Sequence, residues 1–181
     1  MDTIQTKSFL SKAKIKVWVR PLTANDAPHL VDIFEHMSPE SRYQRFQTPV
    51  ENPSPSRVWQ TARQIASTPE PTQFGWIAFA NMPDNGTVPI GVARYVQSAP
   101  GTVEVAISIR DDMQNQGIGS QLLALLIEAA QERGFHTMTA SIQNANMPMW
   151  RLLEKTGYPL QRKIEGSSSE IQLDIRNSNL S

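Results

Sequence analysis

Ile109-Arg110-Asp111-Asp112-Met113-Gln114-Asn115-Gln116-Gly117-Ile118-Gly119-Ser120 is the stretch from which the rest of the chain can be read. Just before it, Val103, Val105, Ile107 and Ile109 occupy every second position of Thr102 to Ile109, the period of a strand. Just after it, Leu122, Leu123, Leu125, Leu126, Ala129 and Ala130 recur at helical spacing until Gly134 stops the helix. Two glycines, one residue apart, therefore stand where a strand hands over to a helix. A helix start leaves backbone N–H groups free and carries partial positive charge. Glycine lets an anion come close to those groups. The stretch reads either as a pyrophosphate cradle or as a plain strand–helix turn that needs glycine backbone angles. It is not a Walker loop, since no Lys follows Gly119. Nor is it a dinucleotide fingerprint, because Leu122 stands where the third Gly is required.

Working outward, Ile15, Val17 and Val19 alternate with Lys16, Trp18 and Arg20, which predicts a strand ended by Pro21. Leu30, Val31, Ile33, Phe34 and Met37 follow at helical spacing, and Ser38-Pro39-Glu40-Ser41 restarts a helix with Ser38 as N-cap. Residues 49–71 are proline-rich, with one short helix over Val58, Trp59, Ala62, Ile65 and Ala66. Phe74 to Ala80 and Pro89 to Val96 read as strands joined by a turn at Asn85-Gly86. Downstream, Phe135 to Ile142 is a strand, Asn146 to Thr156 a helix, and Tyr158 to Ile164 and Glu170 to Ile175 two last strands. A meander followed by strand–helix–strand predicts an α/β fold: one mixed sheet of about seven strands with helices on both faces. The expected domain runs over 15–176, with 1–14 as a loose leading segment.

Composition narrows the function. The chain has 181 residues, 17 basic against 17 acidic, and 39% hydrophobic residues. That balance excludes a disordered chain and argues against nucleic-acid binding, because there is no basic excess to displace counterions. There is no cysteine, which excludes disulfide scaffolds, Cys-ligated zinc and thiol nucleophiles. His29, His36 and His136 are scattered without ligand spacing, so no metal site is expected. No apolar run has the length of a signal peptide or membrane span, so a cytoplasmic protein without membrane contact is expected.

Gln114-x-x-Gly117-x-Gly119 resembles the acyl-CoA motif of the GNAT superfamily of N-acetyltransferases. Asn146-x-x-Met149-x-x-Leu152-x-x-Lys155-x-Gly157-Tyr158 and Val19-Arg20-Pro21-Leu22-x-x-x-Asp26 are similar to the closing and opening signatures of that family. More narrowly, Ser38-Pro39-Glu40-Ser41-Arg42-Tyr43-x-Arg45-Phe46 and the surroundings of Glu104 resemble the GNAT domain of bacterial Pat-type protein-lysine acetyltransferases. The resemblance implies acetyl-CoA as cosubstrate, no metal, and an amine acceptor that is a protein lysine or a small molecule, in a monomer or homodimer.

It also implies roles for particular residues. Gln114, Asn115, Gln116, Gly117, Ile118, Gly119 and Ser120 would hold the pyrophosphate, and the backbone of Ile107, Ser108 and Ile109 would pair with the pantetheine amides as an added strand does. Asn146, with Met149 beside it, would reach the CoA arm; Asn146 also reads as a helix N-cap. Glu104 is the one carboxylate inside a predicted central strand. It would take the proton of the amine, which is held near pKa ~10.4 in a free lysine; as a bare strand residue it would simply face solvent. Arg42, Tyr43, Arg45 and Phe46 read either as acceptor-pocket residues or as a helix burying Phe46. Leu153 stands where many family members carry a general-acid Tyr. A non-catalytic acyl-CoA sensor is the alternative function.

Overall fold

The computed structural model describes residues 5–67 and 71–176. Eight strands form one sheet in the order β1-β2-β3-β4-β5-β6-β8-β7. They are β1 (Lys7–Leu10), β2 (Lys16–Pro21), β3 (Gln73–Met82), β4 (Gly86–Ala99), β5 (Thr102–Ile109), β6 (Thr137–Gln143), β7 (Leu160–Glu165) and β8 (Ser168–Asp174). All neighbours are antiparallel except β5 and β6. The helices are α1 (Ala27–Glu35), α2 (Pro39–Phe46), α3 (Pro55–Ala66), α4 (Ile118–Glu132) and α5 (Met147–Glu154).

Strand alternation sorts the core into two layers. Ile77, Phe79 and Val92 turn to one face, where Leu30, Ile33 and Ala62 of α1 and α3 cover them. Trp76, Ala78, Ala93, Tyr95, Val103 and Val105 turn to the other, against Leu122, Leu126 and Ala130 of α4 and Trp150 and Leu153 of α5. Each large aliphatic side chain fully buried this way contributes about 1.5–3 kcal/mol. Ser38 caps α2 as expected, its hydroxyl accepting from Ser41 N–H at 3.2 Å.

The structure corrects several expectations, and the ends of β4, α5, β7 and β8 shift by one to three residues. The sheet has eight strands rather than seven, because part of the supposedly loose segment 1–14 is β1. Phe9 packs on the core, and the Lys7 ammonium pairs with Glu128 at 2.7 Å and lies 5.6 Å from the Trp76 ring centre. Four residues are too few for alternation to show in sequence. The helix expected from Ser120 starts at Ile118. The strand expected from Phe135 starts at Thr137, because Gly134 at φ +82° lets Phe135 N–H close the helix end onto the Ala130 carbonyl. Residues 1–4 and the end of the chain past Arg176 lie outside the described residues.

Candidate active site

β5 is hydrogen-bonded to β4 along its length, but it meets β6 only through Thr102, Glu104 and the Val103 between them, paired with Thr137, Thr139 and Met138. Beyond Glu104 the two strands part. β6 continues to Gln143 against β8, and the β6-facing edge of Val105–Ile109 is left without a strand. Parallel strands that splay in this way open a wedge whose edge of backbone donors and acceptors faces no strand, its far end closed by Gln114 on the Ile109 carbonyl. A cavity of about 830 Å³ fills it, reaching from Glu104 past Ile107, Ser108 and Ile109 to the Gln114–Ser120 turn. Asn146, Met149 and Arg45 also line it.

The far end of the wedge is the start of α4. Gly117 is its N-cap at φ +79°, a left-handed conformation, and no side chain caps the helix. Its first N–H groups therefore face the cavity without an intrahelical partner. A Cβ on Gly117 would have only Lys12 nearby, at 3.8 Å, so the space above the turn is open. Gly119 differs: a Cβ there would press on Leu152 Cδ1 at 2.9 Å, so this glycine serves helix packing. An extended edge with amide-spaced partners, leading to unpartnered helix N–H groups, fits a pantetheine arm followed by a pyrophosphate.

The acidic residues of the turn are already engaged. Asp111 accepts from Ser38 N–H at 3.0 Å, and Asp112 holds both the Nε and an Nη of buried Arg110 at 3.0 and 2.9 Å. Gln114 donates through Nε2 to the Ile109 carbonyl and to Asp111, each at 3.2 Å, bracing the turn on the strand end. Gln116 receives Lys12 N–H on its carbonyl and Ala13 N–H on Oε1, both at 3.0 Å. The β1–β2 turn thus abuts the cradle and sets Lys12 beside Gly117, a placement the sequence reading missed although the run Lys12-Ala13-Lys14 carried the charge. Asn146 caps α5 by accepting from Met149 N–H at 3.2 Å while its residue lines the wedge.

Glu104 lies at the apex of the wedge, exposed, on the face of β5 that α2 crosses. Among the described residues its side chain makes no hydrogen bond or ion pair, so the carboxylate oxygens are open to a proton donor. Arg45 lies over the same face and donates from Nε to Ser108 Oγ at 3.1 Å. Arg94, opposite Ala106 on β4, donates to the Ile65 carbonyl at 3.3 Å. Burial, and secondarily Arg94, push the Arg45 guanidinium down to about 10, against the attraction of Glu104. Burial lowers Arg94 as well, again opposed by Glu104. Both stay charged at neutral pH.

α2 divides the four residues expected at an acceptor pocket. Arg45 and Phe46 line the wedge. Arg42 instead stacks on the Phe34 ring at 4.0 Å and donates to the Phe34 carbonyl at 3.1 Å, and Tyr43 faces solvent. Phe46 also borders a second, largely apolar cavity of about 320 Å³ between α1, α3 and the proline-rich segment. Gln47, unremarked in sequence, ties α2 across the wedge by donating to the Ser141 carbonyl at 2.7 Å. Leu153 is 2% exposed in the core, and the Tyr158 hydroxyl accepts from Gln131.

The profile of the acetyltransferase (GNAT) domain matches residues 16–159, and the chain belongs to that family. Among solved structures, the GNAT domain of S. lividans PAT superposes with a TM-score of 0.78 at 26% identity, covering 93% of this chain and 96% of that one. Among characterised relatives, the Pseudomonas aeruginosa L-methionine sulfoximine/L-methionine sulfone acetyltransferase is 37% identical over 76 residues, 39% of this chain and 44% of that protein. Acetyltransferase Pat of Mycolicibacterium smegmatis is 27% identical over 143 residues, 77% of this chain and 40% of that protein. The matched stretches thus span less than half the length of these two relatives. Among the described residues no helix is long and apolar enough to cross a membrane.

Proposed function

We propose that the chain is an acetyl-CoA-dependent N-acetyltransferase acting on a primary amine, with Glu104 as general base. The observation that carries the reading is the wedge between β5 and β6, with a free strand edge on one side, the Gly117 helix start at one end and an unpaired carboxylate at the other. Acetyl-CoA, held along Ile107–Ile109 and over Gly117, supplies the activated acetyl group. Glu104 accepts one proton from the ammonium of the acceptor, directly or through water. The freed nitrogen lone pair then attacks the thioester carbonyl, the N–C bond forms, and the C–S bond breaks. Backbone N–H groups on the open β5 edge are positioned to stabilise charge on the carbonyl oxygen. With Leu153 buried, the second amine proton goes through solvent to the thiolate, whose pKa near ~8.5 makes it a tolerable leaving group.

The resemblance of Ser38–Phe46 and the Glu104 strand to Pat-type protein-lysine acetyltransferases supports a protein lysine as acceptor, and likeness to the methionine sulfoximine enzyme supports a free amino acid. The buried Leu153 is the feature that favours a non-catalytic acyl-CoA sensor. Incubation with acetyl-CoA and a panel of amines, with thiol release followed continuously, separates these. Turnover with any primary amine, lost in Glu104→Gln, is the expected result; tight acetyl-CoA binding without turnover on any amine would leave the sensor.

A further inference from the structure

The acceptor end of the wedge holds more positive charge than an amine substrate needs. Glu104 supplies one negative charge and Arg45 one positive charge in the cavity lining, while Arg94 adds a second positive charge on the same sheet face, outside the lining itself. A guanidinium carries five N–H donors. Among the described residues Arg45 spends only its Nε hydrogen, on Ser108 Oγ, and makes no ion pair. Its ring-side face rests against Phe46, 4.9 Å from the ring centre, so the four terminal donors remain in a guanidinium plane fixed at two points. Such a fork, lining a cleft and making no ion pair, suits a carboxylate taken in a bidentate manner. The floor between Ser108 and Glu104 is Ala106, whose methyl leaves room above the strand.

We propose that the acceptor is a free α-amino acid, its carboxylate taken by Arg45 with Arg94 behind it and its ammonium delivered to Glu104. This rests on the acetyltransferase reading and names its substrate class. Each charge of the zwitterion then meets its opposite: ammonium on Glu104, carboxylate on the guanidinium fork. An acceptor with cationic groups only would satisfy Glu104 and leave both guanidiniums unbalanced, which works against polyamines and aminoglycosides. Removing the carboxylate from the acceptor leaves partly buried donors unpaired, a mismatch that discriminates against the analogue.

The test compares L-methionine, L-leucine and L-phenylalanine with their α-amides, beside spermidine and a lysine peptide blocked at both termini. At least one free acid should exceed its amide by tenfold or more in kcat/KM, the difference residing in KM. Arg45→Gln should bring the acid-to-amide ratio close to one, and Arg45→Lys should restore part of it. Arg94→Gln, on a different strand, should shrink the same ratio, which keeps the test open if one variant misfolds. Titration of the preferred acid into the protein saturated with CoA should give heat that Arg45→Gln abolishes. Amides used as well as acids, or the blocked peptide or spermidine preferred over every acid, would overturn the carboxylate site while leaving the acetyltransferase standing. Absence of turnover on every amine would instead remove the proposed function itself.

Discussion

Gly117 offers the sharpest test of the cofactor cradle, because its two roles can be separated. Its φ of +79° places it in the left-handed region, where an L side chain costs about 1–2 kcal/mol. A new Cβ would meet only Lys12 carbons at 3.8 Å, an ordinary contact, so steric crowding within the protein adds nothing. Gly117→Ala should therefore lose about 1–2 kcal/mol of stability, or about 2–8 °C in Tm for a chain of this size. Asn tolerates the left-handed region, so Gly117→Asn should recover most of that loss. Both variants nevertheless put a side chain where the pyrophosphate must approach the N–H groups of α4. Both should weaken acetyl-CoA at least tenfold, about 1.4 kcal/mol. Scanning calorimetry reads the first effect and titration calorimetry the second. A folded Gly117→Asn protein with undiminished affinity would refute the placement of the phosphates at this helix start.

Glu104→Gln keeps the shape of the side chain and removes the base; turnover at pH 7 should fall about 10²–10⁴-fold with acetyl-CoA affinity retained, and the deficit should shrink as pH approaches the pKa of the amine. Equal activity at pH 7 would assign proton removal to solvent. Lys12→Ala should weaken acetyl-CoA several-fold at low ionic strength and far less in 1 M salt, where screening acts over about 3 Å; an affinity unchanged at both would take Lys12 out of the cradle. For Asp26, burial alone would raise the carboxyl, but the two bonds from Arg20 at 2.7 and 2.8 Å and those from Thr23 outweigh it and hold the pKa below the ordinary value. A depressed pKa contributes stability that is complete above the unfolded value near ~3.9 and is lost as pH falls through the folded one. Asp26→Asn should thus cost about 1.5–3 kcal/mol at neutral pH, with the gap to the parent narrowing below about pH 4; a gap independent of pH would deny the ion pair its role.

What the sequence determined by itself was whatever depends on local pattern. The alternation of Val103, Val105, Ile107 and Ile109 placed a strand, and the structure turns those residues toward α4. Ser38 announced the start of α2, and Asn85-Gly86 the β3–β4 hairpin. The glycines of Gln114–Ser120 marked a special backbone, and Gly117 indeed sits at positive φ while Gly119 does not. Only the tertiary structure decided what depends on distant partners. Nothing local says that β5 and β6 separate after Glu104, since splaying is a relation between residues 105–109 and 140–143. Arg42 and Arg45, three apart on one helix, were indistinguishable in sequence; packing sent one onto Phe34 and the other over β5. Arg94 lies inside the strand expected over Pro89 to Val96 and nothing local singles it out; packing alone sets it beside α3 and gives its charge a consequence. Lys12 reached the cradle because β1, too short to be recognised by period, pairs with β2 and turns at the edge of the wedge. Periodicity reports which side of an element is apolar, whereas a site is made where several elements meet, and that meeting is set by the packing of the whole sheet.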